Sequence, residues 1–190
     1  FVKSTNQIEV SDSTLGNYGR IFAYNNQLWA VHKSGEILGI DLETLAVNGN
    51  KLALTGLPSG AKAADVKYIE DTGGFAVLDT SNRVHILNES MELVTTISDI
   101  KTSNGRAIKS ISVSGTYIYV VSSKDSEAGL GINTYDINGN HIKDLSIVDS
   151  RIGGSSSNIS CVADYKGKLL VTVLTWGNAA AGGLYAIDVK

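Results

Sequence analysis

Histidine and cysteine, which often serve as nucleophiles, general bases or metal ligands, are few in this chain and lie far apart in the sequence. The three histidines, His32, His85 and His141, fall in three different apolar stretches, so a shared metal site is not expected. The single cysteine, Cys161, lies among small residues in NISCVAD, which is typical of a buried thiol. The sequence contains no Gly-x-Ser-x-Gly, HExxH or GxxxxGK[ST] motif. We therefore predict no catalytic residue, no metal ligand and no cofactor.

The candidates for ligand binding lie in loop-like segments. Trp176 follows a β-branched stretch and precedes a run of Ala and Gly in TWGNAAAGG, and an indole in such a place can stack on a sugar ring or anchor a protein contact. The alternative is that it caps the core at the end of a strand. Four polar residues of similar loops complete the predicted set: Asn178, Arg106, Arg151 and Lys124.

The elements that must position these residues follow from an internal repeat. Four stretches join two apolar, β-branched runs and end in Asp41, Asn88, Asp136 and Asp188, at spacings of 47, 48 and 52 residues. Each side chain in this series is expected to cap a turn by accepting hydrogen bonds from local backbone N–H groups.

Each unit divides into strand-sized runs with period-two alternation, and helical spacing is not sustained anywhere. The first unit reads RIFAY, QLWAVHK, EILGIDL and NKLALT, and the next two are built alike, whereas the last unit has only NISCVADY, KLLVTVLT and GLYAIDV. QIEVSD, at residues 7–12, alternates like the missing fourth strand. These patterns predict an all-β domain of residues 1–190, with units at 18–56, 64–98, 106–148 and 158–190, in which strand 7–12 completes the last unit.

The repeat resembles that of β-propeller proteins, with endings such as LYAID and INTYDINGN similar to PQQ-type or YVTN-type blades. The resemblance implies a four-bladed ring closed by the N-terminal strand, hemopexin-like in size only, because one cysteine cannot form the disulfide that usually ties such rings. Four blades of a larger ring is the alternative. The innermost strands would carry Asp65 and Asp164 beside Lys67 and Lys109, which predicts a charge-balanced wall.

Charge and hydropathy exclude several partners. With 16 basic and 19 acidic side chains the net charge is −3, so a nucleic-acid partner is not expected. No apolar run approaches the roughly 18 to 20 residues of a membrane-spanning helix, so membrane insertion is not expected.

In propeller geometry, one end of the ring would carry tight turns and the other would carry longer loops, among them GLPSGAKA (56–63), DIKTSNGR (99–106), SKDSEAGLG (123–131) and TWGNAAAGG (175–183). This asymmetry favours a non-enzymatic binding or scaffold module that recognises a protein or glycan through the long-loop face. We expect an extracellular, cell-surface or virion location, for example in a phage tail, and assembly as a homo-oligomer or within a larger structure. The alternative is a propeller enzyme of lactonase, lyase or hydrolase type, or a metal-dependent sensor, with its site at the channel mouth.

Overall fold

The computed structural model describes residues 18–44, 46–102, 105–124, 127–149, 152, 157–175 and 183–189. Fifteen strands in this part of the chain form four antiparallel sheets, and within each sheet every strand pairs with the next one along the chain. The first sheet contains β1 (Tyr18–Tyr24), β2 (Gln27–His32), β3 (Ile37–Ile40) and β4 (Val47–Lys51), and the second contains β5 (Ala63–Ile69), β6 (Gly74–Asp79), β7 (Val84–Leu87) and β8 (Leu93–Ile97). The third contains β9 (Ala107–Ser114), β10 (Tyr117–Lys124), β11 (Glu127–Asp136) and β12 (His141–Ile147), and the fourth contains β13 (Ser157–Tyr165), β14 (Lys168–Thr175) and β15 (Gly183–Asp188).

The four sheets are arranged in a ring, which confirms the predicted all-β fold with the arrangement of a four-bladed β-propeller. The inner strands are β1, β5, β9 and β13, and each sheet is one blade. The fourth blade has three strands in the described part of the chain. Residues 7–12, predicted to complete it, lie outside the described residues. Within the described ranges no helix is long and apolar enough to cross a membrane.

Two predicted elements differ from the structure. The fourth strand of the first blade was expected in NKLALT, but β4 runs from Val47 to Lys51, and Leu54 beyond it is buried in the core. The segment 123–131 was expected to be a long loop. Instead β10 continues to Lys124 and β11 begins at Glu127, with Lys124 opposite Glu127 in the register, so the two strands form one extended hairpin.

Asn and Asp residues form tight turns at one end of the blades. Asn25 and Asn26 have φ values of 52° and 54°, the conformation of a two-residue hairpin turn that matches strand twist. The Oδ1 atom of Asp41 accepts the N–H of Thr44 at 2.7 Å, and Oδ1 of Asp136 accepts the N–H of Asn140 at 2.8 Å. The predicted turn-capping role is thus confirmed for these two residues. Their hydrogen bonds, led by those from Thr44 and Asn140, hold the pKa of both carboxyl groups below the usual range.

The described residues form three core clusters, each between consecutive blades. Phe75 lies at the centre of the cluster between blades one and two, where Phe22 meets it edge-on at 6.5 Å between ring centroids. Trp29 belongs to the same cluster, and its Nε1 donates to the Tyr24 carbonyl at 3.0 Å, so this side chain packs in the core. Further clusters join blades two and three, centred on Ile111 and Ile118, and blades three and four, centred on Val162 and Val171.

Candidate functional site

The ring has a tight-turn end and a long-loop end, because strand direction alternates within each blade. The β1–β2, β5–β6, β9–β10 and β13–β14 turns lie at the tight-turn end. The β4–β5 connection spans residues 52–62 and the β8–β9 connection residues 98–106, and both emerge at the long-loop end. Of the predicted binding residues, Trp176, Asn178 and Arg151 lie outside the described residues. Arg106 and Lys124 both lie at the long-loop end.

Arg106 is buried, with 3% of its surface exposed, although it was expected in an exposed loop. Its guanidinium donates to Ser146 Oγ at 3.2 Å and to Glu127 Oε1 at 3.3 Å. These bonds fasten the start of β9 to β11 and β12 of the same blade. The side chain of Lys124 is exposed at the end of β10. Arg106 and Lys124 were both predicted to bind a ligand, but Arg106 is buried and Lys124 is exposed to solvent.

A buried carboxylate ties three blades together at the ring axis. Asp65 on β5 is 1% exposed, and its Oδ2 accepts Ser110 Oγ at 2.6 Å and the Ile111 N–H at 3.1 Å, both on β9. Lys67 Nζ lies 3.1 Å from Oδ1, and Arg20 Nε of β1 lies 3.7 Å from Oδ2. The predicted charge balance is present at this carboxylate, which acts as an axial clasp between blades one, two and three.

Beyond this axial clasp, a cavity of about 520 Å³ opens toward the tight-turn end. All four inner strands contribute to its wall, and the polar lining includes Lys67, Glu70, Asp71 and Asp164. A second cavity of about 570 Å³ adjoins it between blades three and four and shares Asp71 and Gly115 with the first. These two cavities thus lie at the end opposite the predicted binding face, whereas a cavity of about 310 Å³ lies beside Lys101 and Thr102 of the β8–β9 connection.

Asp164 lies in this cavity wall and has one buried carboxylate oxygen. Its Oδ1 is buried and has no hydrogen-bond partner among the described residues. The pKa of the nearby Tyr119 hydroxyl is raised, mainly by burial and to a smaller extent by the charge of Asp164. The charges of the inner strands therefore balance at Asp65, whereas the cavity wall contains more carboxylates than cations.

Sequence reasoning missed a buried ionic network at the long-loop end of blade two. Asp79 Oδ2 lies 2.7 Å from Arg83 Nη2 and 3.1 Å from His85 Nε2, while Oδ1 accepts the N–H groups of Ser81 and Arg83. The signal was present as an acidic residue at a strand end followed by a turn and a basic residue, in DTSNRVH. This arrangement makes Asp79 the anchor of the β6–β7 turn.

The histidines lie on three different blades. His85 is fully buried and its Nδ1 lies 2.9 Å from Thr96 Oγ1, whereas His141 is half exposed and its Nε2 lies 2.8 Å from Asp144 Oδ1. Within the described ranges no three His, Cys, Asp or Glu side chains are grouped as metal ligands would be. The Cys161 side chain is outside the described part of the structure.

Comparisons with known proteins identify the fold. No family model matches the chain, and no curated protein matches it in sequence. The computationally designed protein Ika4 is similar in structure, with a TM-score of 0.53 and 11% identity over 91% of both chains. A chain of the mitotic checkpoint complex has a TM-score of 0.54 and 16% identity, over 84% of this chain and 46% of that one. PorZ of Porphyromonas gingivalis has a TM-score of 0.50 and 12% identity, over 90% of this chain and 22% of that one. At these identities the likeness extends to the fold alone.

Proposed function

We propose that the chain is a non-enzymatic binding or scaffold module that recognises a protein or glycan through its long-loop end. The observation that carries this proposal is the division of the ring, in which rigid blades present the 52–62 and 98–106 connections at one end and short turns at the other. Such loops can vary without disturbing the blades that hold them. The proposal includes blades of PQQ or YVTN type.

In this proposal the contact residues are Trp176, Asn178, Arg151 and Lys124, with Arg106 holding the base of its loop in place. The bonds from Arg106 to Ser146 and Glu127 give the β8–β9 connection a fixed base. An extracellular, cell-surface or virion location belongs to the same proposal. PorZ, which is similar in fold, is a surface component of a bacterial secretion system.

The test is a glycan array probed with the purified chain and with the Trp176→Ala variant. We expect Trp176→Ala to weaken binding at least tenfold, about 1.4 kcal/mol, because a stacked indole supplies much of the energy of such a contact. Tyr117→Ala is the matched control, since Tyr117 is an exposed aromatic residue at the opposite end of the ring. Undiminished binding by the Trp176→Ala variant and by a second variant, in which a glycine-serine linker replaces residues 176–182, would exclude this site.

A second candidate is an enzyme or metal-dependent sensor with its site at the channel mouth, which the cavity of about 520 Å³ favours. Asp164, Glu70 and Asp71 all line this cavity and would supply the acidic groups of such a site. Calorimetric titration with Ca²⁺, Mn²⁺ and Zn²⁺ tests this candidate. It requires binding that Asp164→Asn weakens at least about tenfold, with no change from Asp188→Asn, which alters an exposed carboxylate outside the cavity. Lack of binding by all three ions would remove the metal-dependent form of this candidate.

A further inference from the structure

The cavity of about 570 Å³ between blades three and four takes no part in either proposed function. Gly115 of the β9–β10 turn and Gly167 of the β13–β14 turn lie at the tight-turn end of its wall. Tyr119 and Thr134 of blade three also line it, as does Ile142 of the outer strand β12, which is 48% exposed. Sites for small molecules usually have volumes of about 300 to 1,000 Å³. The cavity is therefore large enough for a small molecule and open to solvent beside β12.

Tyr119 on β10 is a buried tyrosine in the wall of this cavity. It is 7% exposed and packs in the cluster between blades three and four. Its hydroxyl makes no hydrogen bond within the part of the chain that the structure describes. Buried tyrosine and tryptophan side chains usually find a partner for their polar atom, as Trp29 Nε1 does at the Tyr24 carbonyl. A molecule inside the cavity can supply the partner that the Tyr119 hydroxyl lacks.

Thr134 on β11 brings a second hydroxyl group to the same wall. It lies directly opposite Tyr119 in the strand register and is 2% exposed, and its Oγ1 has no hydrogen-bond partner in the described ranges. Nearby positions of β10 and β11 that pack toward blade four carry apolar residues: Val121, Leu130 and Ile132. Burying an unpaired hydroxyl costs stability, and packing alone does not require one. Two cross-strand neighbours thus make this wall polar where packing between the blades needs no polar group.

The charges of the lining indicate what kind of ligand fits. Asp71 and Lys143 are of opposite sign, and Lys143 Nζ donates to the Val189 carbonyl at 2.6 Å. Burial raises the pKa of the Tyr119 hydroxyl, which therefore keeps its proton at neutral pH. Ile142 and Val189 add apolar atoms to the wall. A charged ligand would lose hydration without an uncompensated partner of opposite sign, so the lining favours a neutral molecule with an apolar body.

We propose that this cavity binds a small neutral molecule with an apolar ring and a hydroxyl group. The ligand hydroxyl bonds the Tyr119 hydroxyl, and the ring packs against Ile142 and Val189. The unpaired hydroxyl of Thr134 beside Tyr119 supports a polar group of the ligand at this part of the wall. The site lies at the end opposite the long loops, and the inference does not rest on the protein or glycan binding proposed there.

The experiment titrates the isotope-labelled chain with phenol and, separately, with toluene. The two probes share a ring and differ by a hydroxyl in place of a methyl group. Binding is followed by the ¹³C-methyl NMR signals of Ile142 and Val189, which line the cavity. We expect phenol to shift both signals. Tyr119→Phe should weaken phenol binding at least about fivefold, about 1 kcal/mol, because it removes one hydrogen bond, and should leave toluene binding unchanged.

Tyr135→Phe is the matched control. Tyr135 is 6% exposed on β11 of the same blade, but it packs in the cluster between blades two and three, outside the cavity. This variant should leave the binding of both probes unchanged. Each substitution keeps the aromatic ring, and methyl spectra that match the wild type show that both variants are folded. A Tyr119 hydroxyl bonded only to an ordered water would make phenol and toluene respond alike to Tyr119→Phe. That result, or the absence of phenol-induced shifts at Ile142 and Val189, would overturn the proposal.

Discussion

Replacing Asp65 with alanine is expected to lower the free energy of unfolding by about 3 to 5 kcal/mol, the usual cost of removing one partner from a buried ion pair. The carboxylate is 1% exposed and receives Ser110 Oγ and the Ile111 N–H, with Lys67 Nζ at 3.1 Å. Without it, Lys67 and Arg20 lose the carboxylate that compensates their charges at the axis. The clasp joins three blades, so its loss weakens the packing between blades as well as within them.

Equilibrium urea denaturation followed by tryptophan fluorescence measures this change. Asp164→Ala is the matched control, because Asp164 also lies on an inner strand but its buried Oδ1 has no hydrogen-bond partner among the described residues. That substitution removes an unsatisfied group, so we expect a change of less than about 1 kcal/mol. An Asp65→Ala variant as stable as Asp164→Ala would show that the axial clasp contributes little.

The second large effect is expected at Asp79. Asp79→Asn should lower the free energy of unfolding by about 3 kcal/mol, because it removes the charge that binds Arg83 and His85 at a site that is 1% exposed. Asp41→Asn is the matched control, since Asp41 also accepts backbone N–H groups in a turn but is exposed to solvent. We expect the control to lower the free energy of unfolding much less than Asp79→Asn does, because water replaces the lost contacts of an exposed side chain. Equal losses for both variants would contradict a special role for the buried network.

The Asp79 network also predicts a pH dependence. Burial opposes the ionisation of Asp79, but the hydrogen bonds from the Arg83 backbone, His85 and the Arg83 side chain outweigh it and hold the pKa of this carboxyl below its usual range. A lowered pKa in the folded state contributes stability that is present above the unfolded value of about 3.9 and is lost as pH falls through the folded value. The difference in stability between wild type and Asp79→Asn should therefore narrow below about pH 4. A difference that stays constant down to pH 2 would exclude the charge of Asp79 as its source.

Local chemistry explains how much of the fold was predictable. Period-two alternation predicts strands, since side chains of a strand alternate between two faces, and the residues Asn25, Asn26, Asp41 and Asp136 predict tight turns, since their side chains accept local N–H groups or tolerate positive φ. Strand alternation and turn composition both depend on residues that are only a few positions apart in the chain. The extended β10–β11 hairpin was missed because SKDSEAGLG has the composition of a loop, and its pairing is imposed by the long strands on either side.

The sequence by itself determined that this chain forms repeated four-stranded units, and it placed Asp65 and Lys67 together on an inner strand. Only the tertiary structure shows that Asp65 binds Ser110 and Arg20. Those residues lie on other blades, and their positions in the sequence do not predict that they are close to Asp65. The tertiary structure also decided that Arg106 is buried and that the cavity of about 520 Å³ opens at the tight-turn end. These features depend on how sheets pack around an axis, which is set by contacts between residues far apart in the chain.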